Sequence, residues 1–162
     1  MKDLLDGLKY EIINKGKNLE CYEGIAYNSK KVKKKFVFIA IEGLRTDGHD
    51  FIDEAIDKGA SLIIVSKNVV VKDHDVVVIK VNNSRKGLSR IASNYYNWPQ
   101  KKLKFIGITG TNGKTTTAYL LHKILNNSAY IGTFGVLFEN NVLANENDRT
   151  TPESLEIITL LN

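Results

Sequence analysis

The residues best placed to do chemistry lie within 104–117, Lys-Phe-Ile-Gly-Ile-Thr-Gly-Thr-Asn-Gly-Lys-Thr-Thr-Thr. Gly110, Thr111, Asn112 and Gly113 read as a loop whose backbone can approach a ligand closely, because glycine has no Cβ to hold it off. Lys114 is placed to reach terminal phosphates, and the Thr115 hydroxyl to ligate Mg²⁺, with Thr116 beside it in the same cradle. A strand, a glycine loop and a helix start make an anion site, since free amides and the helix dipole point at the ligand. The glycine spacing departs from the general phosphate-loop pattern. That pattern puts a glycine where Ile108 stands, whereas here glycines fall at Gly107 and Gly110. A ligand-free strand-to-helix turn would need neither Lys114 nor a threonine triplet, so the phosphate site is the reading carried forward.

Several elements must position this loop. Residues 103–109 are rich in β-branched and aromatic types and predict a short buried strand. From Lys114 onward Ala118, Leu121, Ile124 and Leu125 recur at helical spacing. Residues 129–131 predict a strand, with Gly132, Thr133, Phe134 and Gly135 at its C-terminal end. Open parallel sheets bind ligands at that end, so Thr133 is expected to face the nucleotide. Residues 136–138 and 142–143 flank a hairpin turn. Thr151 reads as the N-cap of a final helix, with Pro152 at its first position and Glu153 in the first turn.

The N-terminal part carries its own α/β pattern. Apolar residues at Leu4, Leu5, Leu8, Ile12 and Ile13 predict an amphipathic helix. Strands are expected over 23–28, 36–41, 61–65, 69–71 and 76–81. Between the second and third of these, Asp50 reads as an N-cap, Asp53 and Glu54 suit the first turn, and Phe51, Ile52, Ala55 and Ile56 form an apolar face ending at Gly59. Ser84 is expected to cap a helix with Leu88, Ile91, Ala92 and Tyr95 buried. The expected fold class is therefore α/β. It comprises a small N-terminal α/β domain over 1–98, a linker at 99–102, and a mostly parallel phosphate-loop sheet domain that begins at 103 and runs to 162.

Composition narrows the classes. The chain has 162 residues, 43% hydrophobic, and one cysteine, Cys21, so no internal disulfide or multi-cysteine metal site is possible. No apolar run is long enough to span a membrane, and the N-terminus lacks the apolar core of a signal peptide, so a cytoplasmic protein with no membrane partner is expected. The net charge of +5 is concentrated in Lys30, Lys31, Lys33, Lys34 and Lys35. That cluster has no interleaved aromatics and belongs to no nucleic-acid module, so nucleic acid is not an expected partner. His49 reads as a loop hydrogen-bonder, and His74 and His122 as surface residues.

The stretch from Gly107 to Thr116 resembles the nucleotide loop of the Mur ligases, ATP-dependent enzymes that add amino acids to the peptidoglycan precursor. The resemblance accounts for the displaced first glycine, because that family has its own variant of the loop. Tyr27-Asn-Ser-Lys-Lys-Val32, Phe36-Val-Phe-Ile-Ala40, Gly43 with Asp47-Gly-His-Asp-Phe51, and Thr150-Thr-Pro-Glu153 extend it from about Gly24 to the last residue. Within the family the likeness is to the branch that adds the third residue of the stem peptide. It implies that Ser29 and the loop of Gly43, Leu44, Arg45 and Thr46 contact the uridine diphosphate moiety. Thr150 and Thr151 would contact the UDP-muramoyl substrate between domains, Gly110 to Thr116 would hold ATP, and Thr115 with Thr133 would serve Mg²⁺. The family pattern has Asp-Ser-Arg where this chain has Asn28-Ser29-Lys30, which exchanges a forked guanidinium for an ammonium.

The chemistry so implied is amide formation through an acyl phosphate. The substrate carboxylate is phosphorylated by ATP, with Mg²⁺, and the incoming amino acid's amine then displaces phosphate. The resemblance also implies that further parts of the ATPase domain and a C-terminal domain lie outside these 162 residues. The chain alone is then expected to bind without turnover, and to self-associate through its uncovered half. Two alternatives stay open: a non-catalytic nucleotide or UDP-sugar binding module, and another ligase of the superfamily. The Ser29 region and the Asp47-Gly48-His49 loop argue against the folate enzymes.

Overall fold

The computed structural model describes residues 3–17, 22–43, 46–72, 75–138, 141–143 and 152–162. Among the described residues the strands are β1 (Tyr10–Asn14), β2 (Gly24–Ala26), β3 (Phe36–Ile39), β4 (Ala60–Val65), β5 (Val77–Val81), β6 (Ala129–Gly132), β7 (Gly135–Phe138) and β8 (Asn141–Leu143). The α-helices are α1 (Ile52–Asp57), α2 (Ser84–Tyr95), α3 (Lys114–Ile124) and α4 (Ser154–Leu160). The first five strands form one sheet in the order β1-β5-β4-β3-β2. Strands β2 to β5 are parallel, and β1 joins the β5 edge antiparallel.

A parallel sheet crossed by helices is covered on both faces, so its strands must be apolar on both sides. Here alternate residues serve the two faces. Val37, Ile39, Leu62, Ile64, Val77 and Ile79 pack with Leu88, Ile91 and Ala92 of α2. Phe38, Ala40, Ile63, Val65 and Val78 pack with Ile52 and Ala55 of α1. The expected α/β class with a parallel-rich sheet is therefore present, and strands β2 to β5 fall where the sequence puts them. Gly59, with φ +96°, ends α1 as expected.

Several expectations fail, each for a local reason. Residues 4–13 form no helix. Leu4 and Leu5 are buried in turns, and the chain then extends into β1, paired from Tyr10 with Val81 to Asn14 with Val78. Leu8, Tyr10 and Ile12 also recur with period two, and the open edge of β5 decides for the strand. Residues 69–71 are not a strand. Asp50 is not a cap: Asp47 caps a 3₁₀ turn at Gly48–Phe51 that leads into α1, and Phe51 is left exposed. The cap of α2 is Asn83 rather than Ser84, its side chain accepting from the Lys86 amide. The cap of α4 is Glu153, reciprocated by Glu156, so Pro152 precedes the helix instead of opening it, and Thr151 lies outside the described residues.

The largest departure concerns residues 103–109. They are extended but join no sheet, and Leu103, Phe105 and Ile106 are exposed. An isolated strand has no ladder partners for its amides and carbonyls, and β6 pairs instead with β7 in an antiparallel meander β6-β7-β8. The second sheet is thus antiparallel, not mostly parallel. Residues 99–102, expected as a linker, form a 3₁₀ turn with Pro99 buried. Helix α4 packs on α2, and its Leu155 and Ile158 join the core cluster beneath that helix.

Phe38 is fully buried, so Phe38→Ala is expected to cost about 3–5 kcal/mol in urea denaturation. Val70→Ala, at a side chain 96% exposed, is expected to stay within about 0.5 kcal/mol.

Candidate functional site

The glycine loop leads directly into α3. Gly110 and Gly113 have φ of +154° and +78°, and Gly113 stands at the N-cap with no side chain to cap the helix. The first backbone bond of the helix runs from the Thr117 amide to the Gly113 carbonyl at 2.9 Å. The amides of Lys114, Thr115 and Thr116 therefore have no intrahelical acceptor, at the end where the dipole favours an anion. A Cβ built on Gly113 would meet nothing within 4 Å, and one on Gly110 only the Asn112 carbonyl oxygen at 3.5 Å. The bend is open and unobstructed by its neighbours. Thr111, Asn112, Lys114 and Thr116 are exposed.

Lys114 lies back over this loop. Its Nζ donates to the Gly110 carbonyl at 2.6 Å and approaches the Thr111 carbonyl at 3.4 Å. The ammonium is thus held beside the free amides. The hydroxyls of Thr115 and Thr133 stand 3.3 Å apart, because β6 turns at Gly132 and brings Thr133 back against the start of α3. Two neutral oxygens fit part of a Mg²⁺ sphere, which takes its remaining ligands from water and phosphate.

The second group of candidate residues lies at the C-terminal ends of parallel strands. Strand β2 runs out into Ser29, and β3 into the loop closed by the Glu42–Asp47 bridge. Ser29 is buried, and its hydroxyl donates to Glu54 Oε2 at 2.8 Å. Lys58 secures the pair by donating to Glu54 Oε1 at 2.6 Å and to the Ser29 carbonyl at 3.2 Å. The Lys58 and Ser29 hydrogen bonds hold the Glu54 carboxyl below its ordinary range. Asn28 caps the Ser29 turn by accepting from the Lys30 amide at 3.0 Å, a task an aspartate performs equally well. In the next loop the Gly43 amide donates to the Thr46 carbonyl at 3.0 Å. Leu44, Arg45, Thr150 and Thr151 lie outside the described residues.

Sequence reasoning missed the network behind this loop. Asp47 Oδ1 accepts from the His49 amide at 3.0 Å and lies 2.5 Å from His49 Nδ1, while Asp47 Oδ2 accepts from Lys67. Burial alone would raise the Asp47 carboxyl. The hydrogen bonds from Lys67 and from the His49 amide and ring outweigh it and hold the group far below the carboxylate range. The Glu54–Lys58 pair, spaced i, i+4 in sequence, was open to detection; the Lys67 contact twenty residues away was not. A cleft of about 830 Å³ opens between Ile41, Ser66, Lys67, the start of α2 at Arg85 and Lys86, and Glu153 before α4. Its rim carries the Arg85–Glu153 ion pair at 3.3 Å.

Two family models match the chain, "Mur ligase family, catalytic domain" over residues 22–96 and "Mur ligase middle domain" over 108–162. The chain belongs to the Mur ligase family. The UDP-N-acetylmuramoyl-L-alanyl-D-glutamate--2,6-diaminopimelate ligase of Fusobacterium nucleatum subsp. nucleatum is 43% identical over 163 residues, covering 99% of this chain and 33% of that protein. The ligase of the same name from Clostridium tetani is 44% identical over 164 residues, covering 97% and 33%. A solved structure of a ligase with that name superposes with a TM-score of 0.62 over 89% of this chain and 31% of the other, at 22% identity, a likeness of fold. The chain spans about a third of the length of the relatives it matches.

Asp47 ionises more readily folded than unfolded, so its charge stabilises the fold above the unfolded carboxylate pKa of about 3.9, and that stabilisation is lost as pH falls below it. Asp47→Asn is therefore expected to lower the melting temperature at pH 7, with the gap to the wild type narrowing below about pH 4. A gap independent of pH would show that the Asp47 charge is not what is stabilising.

Proposed function

We propose that this chain is the nucleotide-sugar-binding and first ATP-binding part of a ligase that adds the third stem-peptide residue to UDP-MurNAc-dipeptide. The observation that carries the reading is the open start of α3, where three amides without intrahelical acceptors, the Lys114 ammonium and the Thr115–Thr133 hydroxyl pair converge. The division into 1–98, a 99–102 connection and 103–162 accords with the residues matched by the two family models. The names of the relatives point to 2,6-diaminopimelate as the amino acid. A cytoplasmic location follows from the same reading, and no described helix is long and apolar enough to cross a membrane.

Amide formation from a carboxylate requires that its oxygen be made a leaving group, here as an acyl phosphate. In this chain Gly110, Thr111, Asn112, Gly113 and Thr116 would present backbone amides to the ATP phosphates. Lys114 would leave the Gly110 carbonyl for a phosphate oxygen, a stronger charge-assisted acceptor. Thr115 and Thr133 would hold Mg²⁺, which when bound neutralises phosphate charge. Ser29, with Gly43, Leu44, Arg45 and Thr46, would take the uridine diphosphate, and Thr150 and Thr151 the muramoyl peptide. The buried Ser29 hydroxyl is already spent on Glu54, so its share of that contact falls to its backbone or requires exchange of partners.

By itself the chain is expected to bind and not to turn over. Phosphoryl transfer needs a site closed to water, and residues 109–114 are exposed. Leu120, Ile124, Phe134 and Val142 are more than half exposed, and Thr116, Tyr119, Leu137 and Val142 line an open apolar cleft of about 690 Å³. That surface favours association of two copies through the α3 side.

Calorimetric titration with ATP and Mg²⁺ is expected to show binding that Lys114→Ala weakens by about 1.5–3 kcal/mol, the value of a hydrogen bond to a charged group. Equal affinity in the variant would refute the phosphate role. Light scattering is expected to show a dimer that Ile124→Glu dissociates; a monodisperse wild-type monomer would refute the association.

A further inference from the structure

The Asp47-Gly48-His49 segment is not used by the reading above, yet it carries a dense set of hydrogen bonds at the C-terminal end of the large sheet. The His49 side chain is 6% exposed. Its Nδ1 meets Asp47 Oδ1 at 2.5 Å and its Nε2 meets the Ser66 amide at 3.1 Å. A carboxylate accepts and an amide donates, so Nδ1 carries the proton and Nε2 offers its one lone pair to Ser66. The Ser66 hydroxyl lies 3.4 Å from the same Nε2, which resembles an Asp-His-Ser relay. It is not one: the lone pair that would take the hydroxyl proton is directed to the amide at the shorter distance.

The ring instead ties two strand ends together. Ser66 directly follows β4, and Asp47 closes the loop that follows β3 through its bridge with Glu42. The Gly48 amide donates to the Ile41 carbonyl at 2.9 Å, and a Cβ on Gly48 would sit 2.7 Å from the Ile41 amide nitrogen, so the loop closes this tightly only with glycine there. Lys67, next to Ser66, clasps Asp47 and lies 3.7 Å from Glu42, the two ends of the loop.

We infer that His49 is a positioning residue for the nucleotide-sugar loop, holding the Glu42–Asp47 bridge that closes it to the end of β4 through Asp47 on one ring nitrogen and the Ser66 amide on the other. The inference rests on the reading that Gly43 and Thr46 meet the substrate. His49 itself touches no ligand; it acts by fixing the shape of the loop before binding, which lowers the ordering cost at the moment of binding.

The test titrates UDP-MurNAc-dipeptide into the wild-type chain, His49→Ala and His49→Gln, and follows amide hydrogen exchange at Gly43, Gly48 and Ile64 in each. His49→Ala removes both ring hydrogen bonds and is expected to weaken binding about tenfold, because only part of what they stabilise is the ordering of the loop for the ligand. Exchange should quicken at Gly43 and Gly48 and stay slow at Ile64 in the core of β4. His49→Gln, whose amide oxygen can still accept from Ser66, is expected to recover to within about threefold of wild type. Loop exchange unchanged in His49→Ala would overturn the clamp whatever the ligand result, and exchange rising equally at Ile64 would reduce His49 to a general stabiliser. A wild-type chain that fails to bind would overturn the substrate reading on its own, before any variant is compared.

Discussion

Burial of both faces of the parallel sheet is the constraint from which the rest follows. A parallel ladder cannot leave one side to water, because its crossovers place helices on its faces. With β3, β4 and β5 apolar at nearly every position, polar side chains are pushed to the strand ends. Ser29, Glu42, Asp47, Ser66, Lys67 and Asn83 all stand beyond a strand's C-terminal end. The candidate substrate residues are gathered there because that is where the sheet tolerates polar groups, and parallel strands bring those ends together on one side.

The two candidate sites are built on different physics. At the start of α3 the backbone amides are left without intrahelical acceptors: glycines remove steric cover, no side chain caps the helix, and the lysine rests on backbone carbonyls. Around Ser29 and Asp47 every group is already bonded, Ser29 to Glu54, Asp47 to Lys67 and His49, and His49 to Ser66. The first arrangement suits an anion. The second holds a surface in shape, and its polar groups stabilise each other whether or not a ligand is present.

Legibility followed the range of the interactions. The strand runs over Phe36–Ile39 and Ala60–Val65, the acidic first turn of α1 and the helix opening at Lys114 were readable because composition and spacing within one element decide them. The caps were displaced by one to three residues, since Asp47, Asn83 and Glu153 compete with equally suitable neighbours and backbone geometry selects among them. Residues 4–13 were misread because both periodicities are present and only the β5 edge chooses.

From its own order of residues the chain determined the glycine loop ahead of α3, the α/β class and the polar loops at the strand ends, because glycine placement, a lysine at a helix start and alternating apolar runs act within a few residues. Tertiary structure alone decided that Ser29 spends its hydroxyl on Glu54, that His49 reaches Ser66 seventeen residues on, that Thr133 returns to Thr115, and that residues 103–109 find no ladder. Each of these depends on which groups the fold brings within hydrogen-bonding reach, and that distance is set by the packing of separate elements, which local sequence does not encode.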